Sequence, residues 1–213
     1  MTKLFIIRHG ESQANSEGKF VGHTDSGLSG LGKRQAELTA EYITSQNRID
    51  KVYASDLKRA FYTGKAVADR AGLEVIPERG LREIKGGLWE NTAFDDLEAN
   101  YGEPYRIWLT DIGNSACPGG ESVSELMERI VATVKKIASE NDGKNVVIAT
   151  HATPIRAFQC FCENKPLSEM KDIPWVSNAS VTTAEYSDGE LKLTEVGHDG
   201  HLGEIKTELP DNV

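Results

Sequence analysis

The sequence predicts an α/β fold: three layers, in which a mostly parallel sheet carries helices on both faces. Apolar, β-branched runs at Leu4-Phe5-Ile6-Ile7 and Asn145-Val146-Val147-Ile148-Ala149-Thr150 read as buried strands. Segments of helical period separate them, as crossover connections between parallel strands require. Near the end, two alternating runs flank Ser187-Asp188-Gly189, the pattern of a hairpin and hence of a late antiparallel edge.

Each element can be justified in chain order. The first strand empties into Arg8-His9-Gly10-Glu11, and a turn-rich connection runs from Gly18 to Gly32. A helix is expected from Lys33 to Ser45. Lys51-Val52-Tyr53-Ala54 is a shorter strand, followed by Ser55-Asp56-Leu57-Lys58-Arg59. Leu57, Ala60, Phe61, Gly64, Val67, Ala68 and Ala71 recur at spacings of three and four, which marks an amphipathic helix. Glu74-Val75-Ile76 is a brief strand closed by Pro77.

Residues 86–121 mix glycine, aromatic and acidic residues with weak periodicity. They read as a lid-like excursion over the sheet edge, with a short helix near Phe94 to Trp108. Ser122-Val123-Ser124-Glu125 has capping-box spacing, and Val123, Leu126, Ile130, Val134 and Ile137 give the next helix its core face. Asn141-Asp142-Gly143 turns the chain into the strand that ends at His151, and a helix from Pro154 to Cys162 follows. Residues 180–186 and 190–196 form the hairpin. The expectation is one domain over 1–213.

Composition narrows the function. The chain has 213 residues, 38% of them hydrophobic and 27% charged, with a net charge of −9. That acidity argues against nucleic acid, which wants a basic face. No apolar run reaches the length of a membrane span, so no membrane partner is expected. The early strand leaves no room for a signal peptide, and the odd set Cys117, Cys160 and Cys162 fits no disulfide framework. A cytoplasmic location is expected. Cys160-Phe161-Cys162 lacks the second ligand pair of a structural zinc site, and His198-Asp199-Gly200-His201 suits a loop better than a metal. An edge strand or an exposed helix could mediate a homodimer.

The chemistry gathers at strand ends. A permanent cation and an imidazole directly after a core strand are costly to bury unless something uses them. In open α/β sheets, ligands sit beyond the carboxyl ends of parallel strands. Three strands delivering Arg8 and His9, Arg59, and His151 to one edge would make a compact cationic pocket for a small anion.

These residues resemble the histidine phosphatase superfamily, the phosphoglycerate mutase-like family, over nearly the whole chain. The matching motifs are Arg8-His9-Gly10-Glu11-Ser12 with Asn15, Ser55-Asp56-Leu57-Lys58-Arg59-Ala60 with Thr63, Leu81-Arg82-Glu83-Ile84, Gly87-Leu88-Trp89-Glu90, Pro118-Gly119-Gly120-Glu121-Ser122 and the strand ending in His151. The resemblance implies that His9 attacks phosphorus and carries the phosphoryl group. Arg8 and Arg59 would grip its oxygens, and His151, as an imidazolium, would stabilise the spreading charge. Glu83 would protonate the departing alkoxide and then activate water, with Glu90 the other carboxylate of that loop. Asn15 would add neutral donors, and Ser12, Gly22, Thr24 and Ala152 would be pocket neighbours. No metal and no cofactor are implied. His23, His198 and His201 are expected at the surface or rim.

The family divides into mutases and phosphatases. Mutases clamp a second anionic group with an arginine pair, where this chain has Leu109-Thr110, and use a polar residue where it has Val21. The expectation is therefore a phosphatase acting on a small phosphorylated metabolite. A cofactor-dependent phosphoglycerate mutase is the runner-up, and a non-catalytic phosphate- or phosphoprotein-binding module is a third reading. His151-Ala152-Thr153 departs from the commoner His-Gly-Gly. Trp89, Phe94, Tyr105 and Trp108 either roof the pocket or pack the lid. A serine hydrolase is rejected, because Gly27-Leu28-Ser29-Gly30-Leu31 fails G-x-S-x-G at its last place.

Overall fold

In the computed structural model, which describes residues 1–207, strand β1 (Thr2–Arg8) leads through the short helix α1 (Gln13–Ser16) to helix α2 (Gly30–Gln46) and strand β2 (Lys51–Ala54). Helix α3 (Lys58–Ala71), strand β3 (Val75–Pro77) and helices α4 (Phe94–Tyr101) and α5 (Glu103–Thr110) follow. Helix α6 (Val123–Ser139), strand β4 (Asn145–Thr150) and helix α7 (Ala152–Cys162) precede the closing hairpin of β5 (Val181–Ser187) and β6 (Glu190–His198). Residues 208–213 of the expected domain lie outside the described residues.

The strands form one six-stranded sheet in the order β3-β2-β4-β1-β5-β6. The first four in that order are parallel, and the hairpin adds the antiparallel edge. Alternation along the central strands builds the layers. Leu4, Ile6, Val146 and Ile148 face a core shared with Leu126, Ile130 and Phe158 of α6 and α7. Phe5, Ile7, Val52 and Val147 face the opposite core, with Ala40, Ile43 and Val67 of α2 and α3. Burial on both faces is why these strands read as continuous apolar runs. Each such side chain contributes roughly 1.5–3 kcal/mol when fully buried.

Two elements differ from the sequence reading. Helix α2 starts at Gly30, ahead of the expected Lys33, because Ser29 Oγ accepts from the Gly32 amide at 3.0 Å and caps the helix. Gly30 and Gly32 had the look of loop residues. Gly32 is instead a close-approach residue, since a Cβ there would lie 1.9 Å from the Glu11 carbonyl oxygen. The expected helix near 94–108 is two helices, α4 and α5, broken at Gly102, whose φ is +52°. An L side chain resists that conformation, so the excursion bends there.

Register sets the site. Arg8 pairs with Thr150, and Ala54 with Ala149, so β1, β2 and β4 end at nearly the same level. Their next residues, His9, Ser55 and His151, therefore emerge along one edge.

Candidate active site

The two histidines meet there. The rings of His9 and His151 stand 5.1 Å apart in an edge arrangement, both buried. His9 Nδ1 lies 2.7 Å from the Gly10 carbonyl oxygen, which can only accept, so Nδ1 carries the proton and Nε2 keeps its lone pair. Arg59 Nε donates toward that nitrogen at 3.3 Å. Burial, then the charges of Arg59 and Arg8, hold the His9 pKa well below the usual imidazole range. His9 thus presents a neutral imidazole whose Nε2 lone pair faces Arg59.

Backbone carbonyls hold the guanidinium groups. Arg59 Nη1 donates to Thr24 O at 3.0 Å and Nη2 to Gly22 O at 2.7 Å. Arg8 Nη1 donates to Val176 O at 2.6 Å, while its buried Nε has no protein partner among the described residues. Burial is the main cause that brings the Arg8 pKa down to about 10, which leaves it charged at neutral pH. Asp56 does not neutralise Arg59. It forms a forked pair with Arg82, with both distances 2.6 Å.

His151 is the residue that caps α7 without a side-chain bond. Its Nε2 lies 2.8 Å from Ser55 Oγ, and its buried Nδ1 has no protein partner among the described residues. Burial, Arg59 and His9 push its pKa well below the usual range. Without an anion beside it, the ring is thus biased toward its neutral form.

Glu83 faces the same pocket from the loop after β3. Its Oε1 accepts from the Ile84 amide at 2.8 Å, and burial raises its pKa above the ordinary 4.5. A carboxyl that holds its proton to higher pH than usual is suited to donate it. Glu90 is committed elsewhere. Its oxygens accept from the amides of His23, Thr24 and Gly86 and from the Thr24 hydroxyl, at 2.6–2.9 Å. It fastens the Gly22 loop to the excursion instead of serving as an acid.

The remaining candidates divide. Asn15, Gly22 and Ala152 line the pocket. Ser12 does not. It caps α1, exchanging bonds of 3.1 Å with Asn15, and so orients Asn15 from behind. Thr24 holds Arg59 and Glu90, as described. The same pocket is also lined by Lys19, Phe20, Phe94, Trp108 and Trp175. Trp89 and Tyr105 are buried in packing with Phe20 and Trp108, so the excursion's aromatics serve both roles. His23 is half-buried, with Nε2 2.8 Å from the Glu83 carbonyl oxygen. His198 and His201 stack on Tyr42 at 4.7 Å, away from the pocket.

Sequence reasoning missed Arg129. From the middle of α6 it donates to the carbonyls of Gly80, Arg82 and Glu83 and makes a forked pair with Glu121. It thereby fixes the loop that carries Glu83. Asn178 was missed too. Its Nδ2 donates to the His9 carbonyl at 2.9 Å. The adjacent Ala179, at a φ of +59°, points its amide at the carbonyls of Arg8 and His9.

Comparison with known proteins identifies a family for this chain. The family model described as the histidine phosphatase superfamily (branch 1) matches residues 4–199. Phosphoserine phosphatase 1 of Hydrogenobacter thermophilus is 30% identical over 208 residues, 98% of each chain. Phosphoglycerate mutase-like protein 4 of Arabidopsis thaliana is 31% identical over 205 residues, 95% of this chain and 87% of that one. The fold is also similar to a phosphoserine phosphatase from Entamoeba histolytica solved in complex with 3-phosphoglyceric acid. There the TM-score is 0.81 at 29% identity, covering 95% of this chain and all of the other.

Proposed function

This chain belongs to the histidine phosphatase superfamily (branch 1), and on that premise we propose that it hydrolyses small phosphomonoesters through a phosphohistidine at His9, with no metal in the reaction. The carrying observation is the resting state of His9: Nδ1 tied to Gly10 and Nε2 unprotonated beside Arg59. That nitrogen attacks phosphorus as the phosphorus–oxygen bond to the leaving group breaks. Arg8, Arg59 and His151 receive the charge spreading over the phosphoryl oxygens. Glu83 gives its proton to the departing alkoxide. It then takes a proton from the water that attacks the phosphohistidine, which releases phosphate and restores His9.

The metabolite's organic part lies against Phe20, Phe94, Trp108 and Trp175, with Lys19 as the cation at that end. A small phosphorylated hydroxy or amino acid suits this lining, its carboxylate toward Lys19. The phosphoserine phosphatases among the relatives support that class. Hydrolysis is favoured over mutase chemistry because, among the described residues, Lys19 is the one Lys or Arg lining the pocket besides Arg8 and Arg59, where a mutase would present a further guanidinium pair. A binding module is disfavoured by the intact nucleophile and acid. The proposal covers one domain with residues 86–121 as its lid, in the cytoplasm.

Incubation with O-phosphoserine, with p-nitrophenyl phosphate, and with 3-phosphoglycerate plus 2,3-bisphosphoglycerate tests it. Phosphate release should be metal-independent, with an acid-labile phosphoryl enzyme that His9→Ala cannot form. Isomerisation of 3-phosphoglycerate without phosphate release would restore the mutase, and absence of all turnover would restore the binding module.

A further inference from the structure

Ser55 is buried and takes no part in the chemistry just described, yet it is the one protein group, among the described residues, bonded to the side chain of His151. Its oxygen lies 2.8 Å from His151 Nε2 and accepts from the Leu57 amide at 3.3 Å. The hydroxyl hydrogen has one acceptor among the described residues, and that is Nε2. Were Nε2 protonated, Ser55 Oγ would face two donors while its own hydrogen stayed unpaired in a dry interior, an expensive arrangement. We infer that Ser55 is a positioning residue that fixes the tautomer of His151, placing its single proton on Nδ1.

The consequence for catalysis rests on the phosphatase reading. An imidazole is a hydrogen-bond donor only through the nitrogen that carries the proton, and the partner of one nitrogen decides the state of the other. With Ser55 donating to Nε2, the neutral ring offers Nδ1–H to a phosphoryl oxygen and needs no positive charge to do so. The opposite tautomer would present a lone pair to an anion. The location of Ser55 explains its reach: it follows β2 directly, its amide bonds to Ala149 O at 2.9 Å, and β2 and β4 are paired, so the serine and His151 leave adjacent strands together.

Long-range proton–nitrogen NMR on protein labelled at histidine nitrogen reads the tautomer without substrate. His151 is assigned by the signals lost in His151→Gln. The expected result at neutral pH is protonated Nδ1 and bare Nε2. Protonated Nε2, or an even mixture, overturns the inference. In Ser55→Ala the pattern should move toward Nε2–H, and kcat on p-nitrophenyl phosphate should fall about 10–100-fold with KM changing less, the usual scale for a residue that orients a functional one. Ser55→Thr, which restores the hydroxyl, should recover the parental pattern and most of the rate. Parental NMR signals in Ser55→Ala would also overturn it. If that variant does not fold, the parent spectrum still decides. A parent with Nδ1–H but no phosphatase activity would keep the tautomer assignment and remove the catalytic reading instead.

Discussion

The cage and the excursion are built on opposite principles. The cage residues Arg8, His9, Arg59 and His151 leave strand ends or a helix start that the sheet register aligns. Backbone carbonyls hold Arg8, His9 and Arg59, and the Ser55 hydroxyl holds His151, so few alternatives are open to them. The excursion over 86–121 is held by aromatic edges, with Phe20 at 5.5 Å from both Trp89 and Trp108. One region is ordered by hydrogen-bond geometry and charge; the other is ordered largely by the packing of buried aromatic side chains. This difference suits an enzyme that keeps one reaction and selects its leaving group separately.

Substitutions can break that division, and the cage should give the largest effects. His9→Ala removes the nucleophile, so phosphate release should drop by about 10⁶-fold or to the assay floor, the scale seen when a nucleophile is lost. Activity within tenfold of the parent would show that the cage works without a covalent step.

Glu83→Gln should cost about 10²–10⁴-fold in kcat/KM on an alkyl phosphate, and much less on p-nitrophenyl phosphate, whose leaving group needs no proton. The pH profile carries a sign. In the proposed mechanism Glu83 is protonated for the first step, and its pKa is raised, so kcat/KM should fall as pH climbs through that value. His9 must be neutral, and its pKa is lowered, so activity persists at acid pH below the imidazole range. The optimum should be mildly acidic, and the alkaline limb should vanish in Glu83→Gln. An unchanged limb would assign the proton to another group.

Trp108→Ala tests the excursion. Loss of a buried tryptophan should cost about 3–5 kcal/mol in denaturant unfolding. Turnover of p-nitrophenyl phosphate by the remaining folded protein should stay within a few-fold, while selectivity among organic phosphates shifts. A collapse of turnover on every substrate would mean that the two regions are one unit. Lys19→Ala should have the smallest effect. Its exposed pair with Glu17, at 2.6 Å, contributes about 0.2–1 kcal/mol at most. A several-fold rise in KM for a carboxylated substrate, absent for p-nitrophenyl phosphate, would place Lys19 at the carboxylate.

What could be read in advance follows the same division. Arg8 and His9 announce themselves because ionisable groups after an apolar strand are expensive without a use. The β4 strand and the hairpin are carried by local apolar runs and a turn, and the structure places them where the sequence does. Arg129 and Asn178 gave no local signal. Arg129 occupies a helix otherwise patterned for packing, and its value depends on Gly80, Arg82 and Glu83, more than forty positions away. Glycine was misread for a related reason. At Gly32 its meaning is contact with Glu11, a distant backbone, while at Gly102 it is a bend within one expected helix. Pairwise closeness in space is not written in periodicity.

The Asn178 contact has an implication for biogenesis. The nucleophile is made ninth, and the amide that clasps its carbonyl arrives 169 residues later. A fragment ending before residue 176 would contain every side chain proposed to take part in catalysis, His151 included, and would lack the Val176, Asn178 and Ala179 anchors that hold Arg8 and His9. Such a nascent chain would hold the proposed reactive groups before the segment that orders Arg8 and His9 has been made.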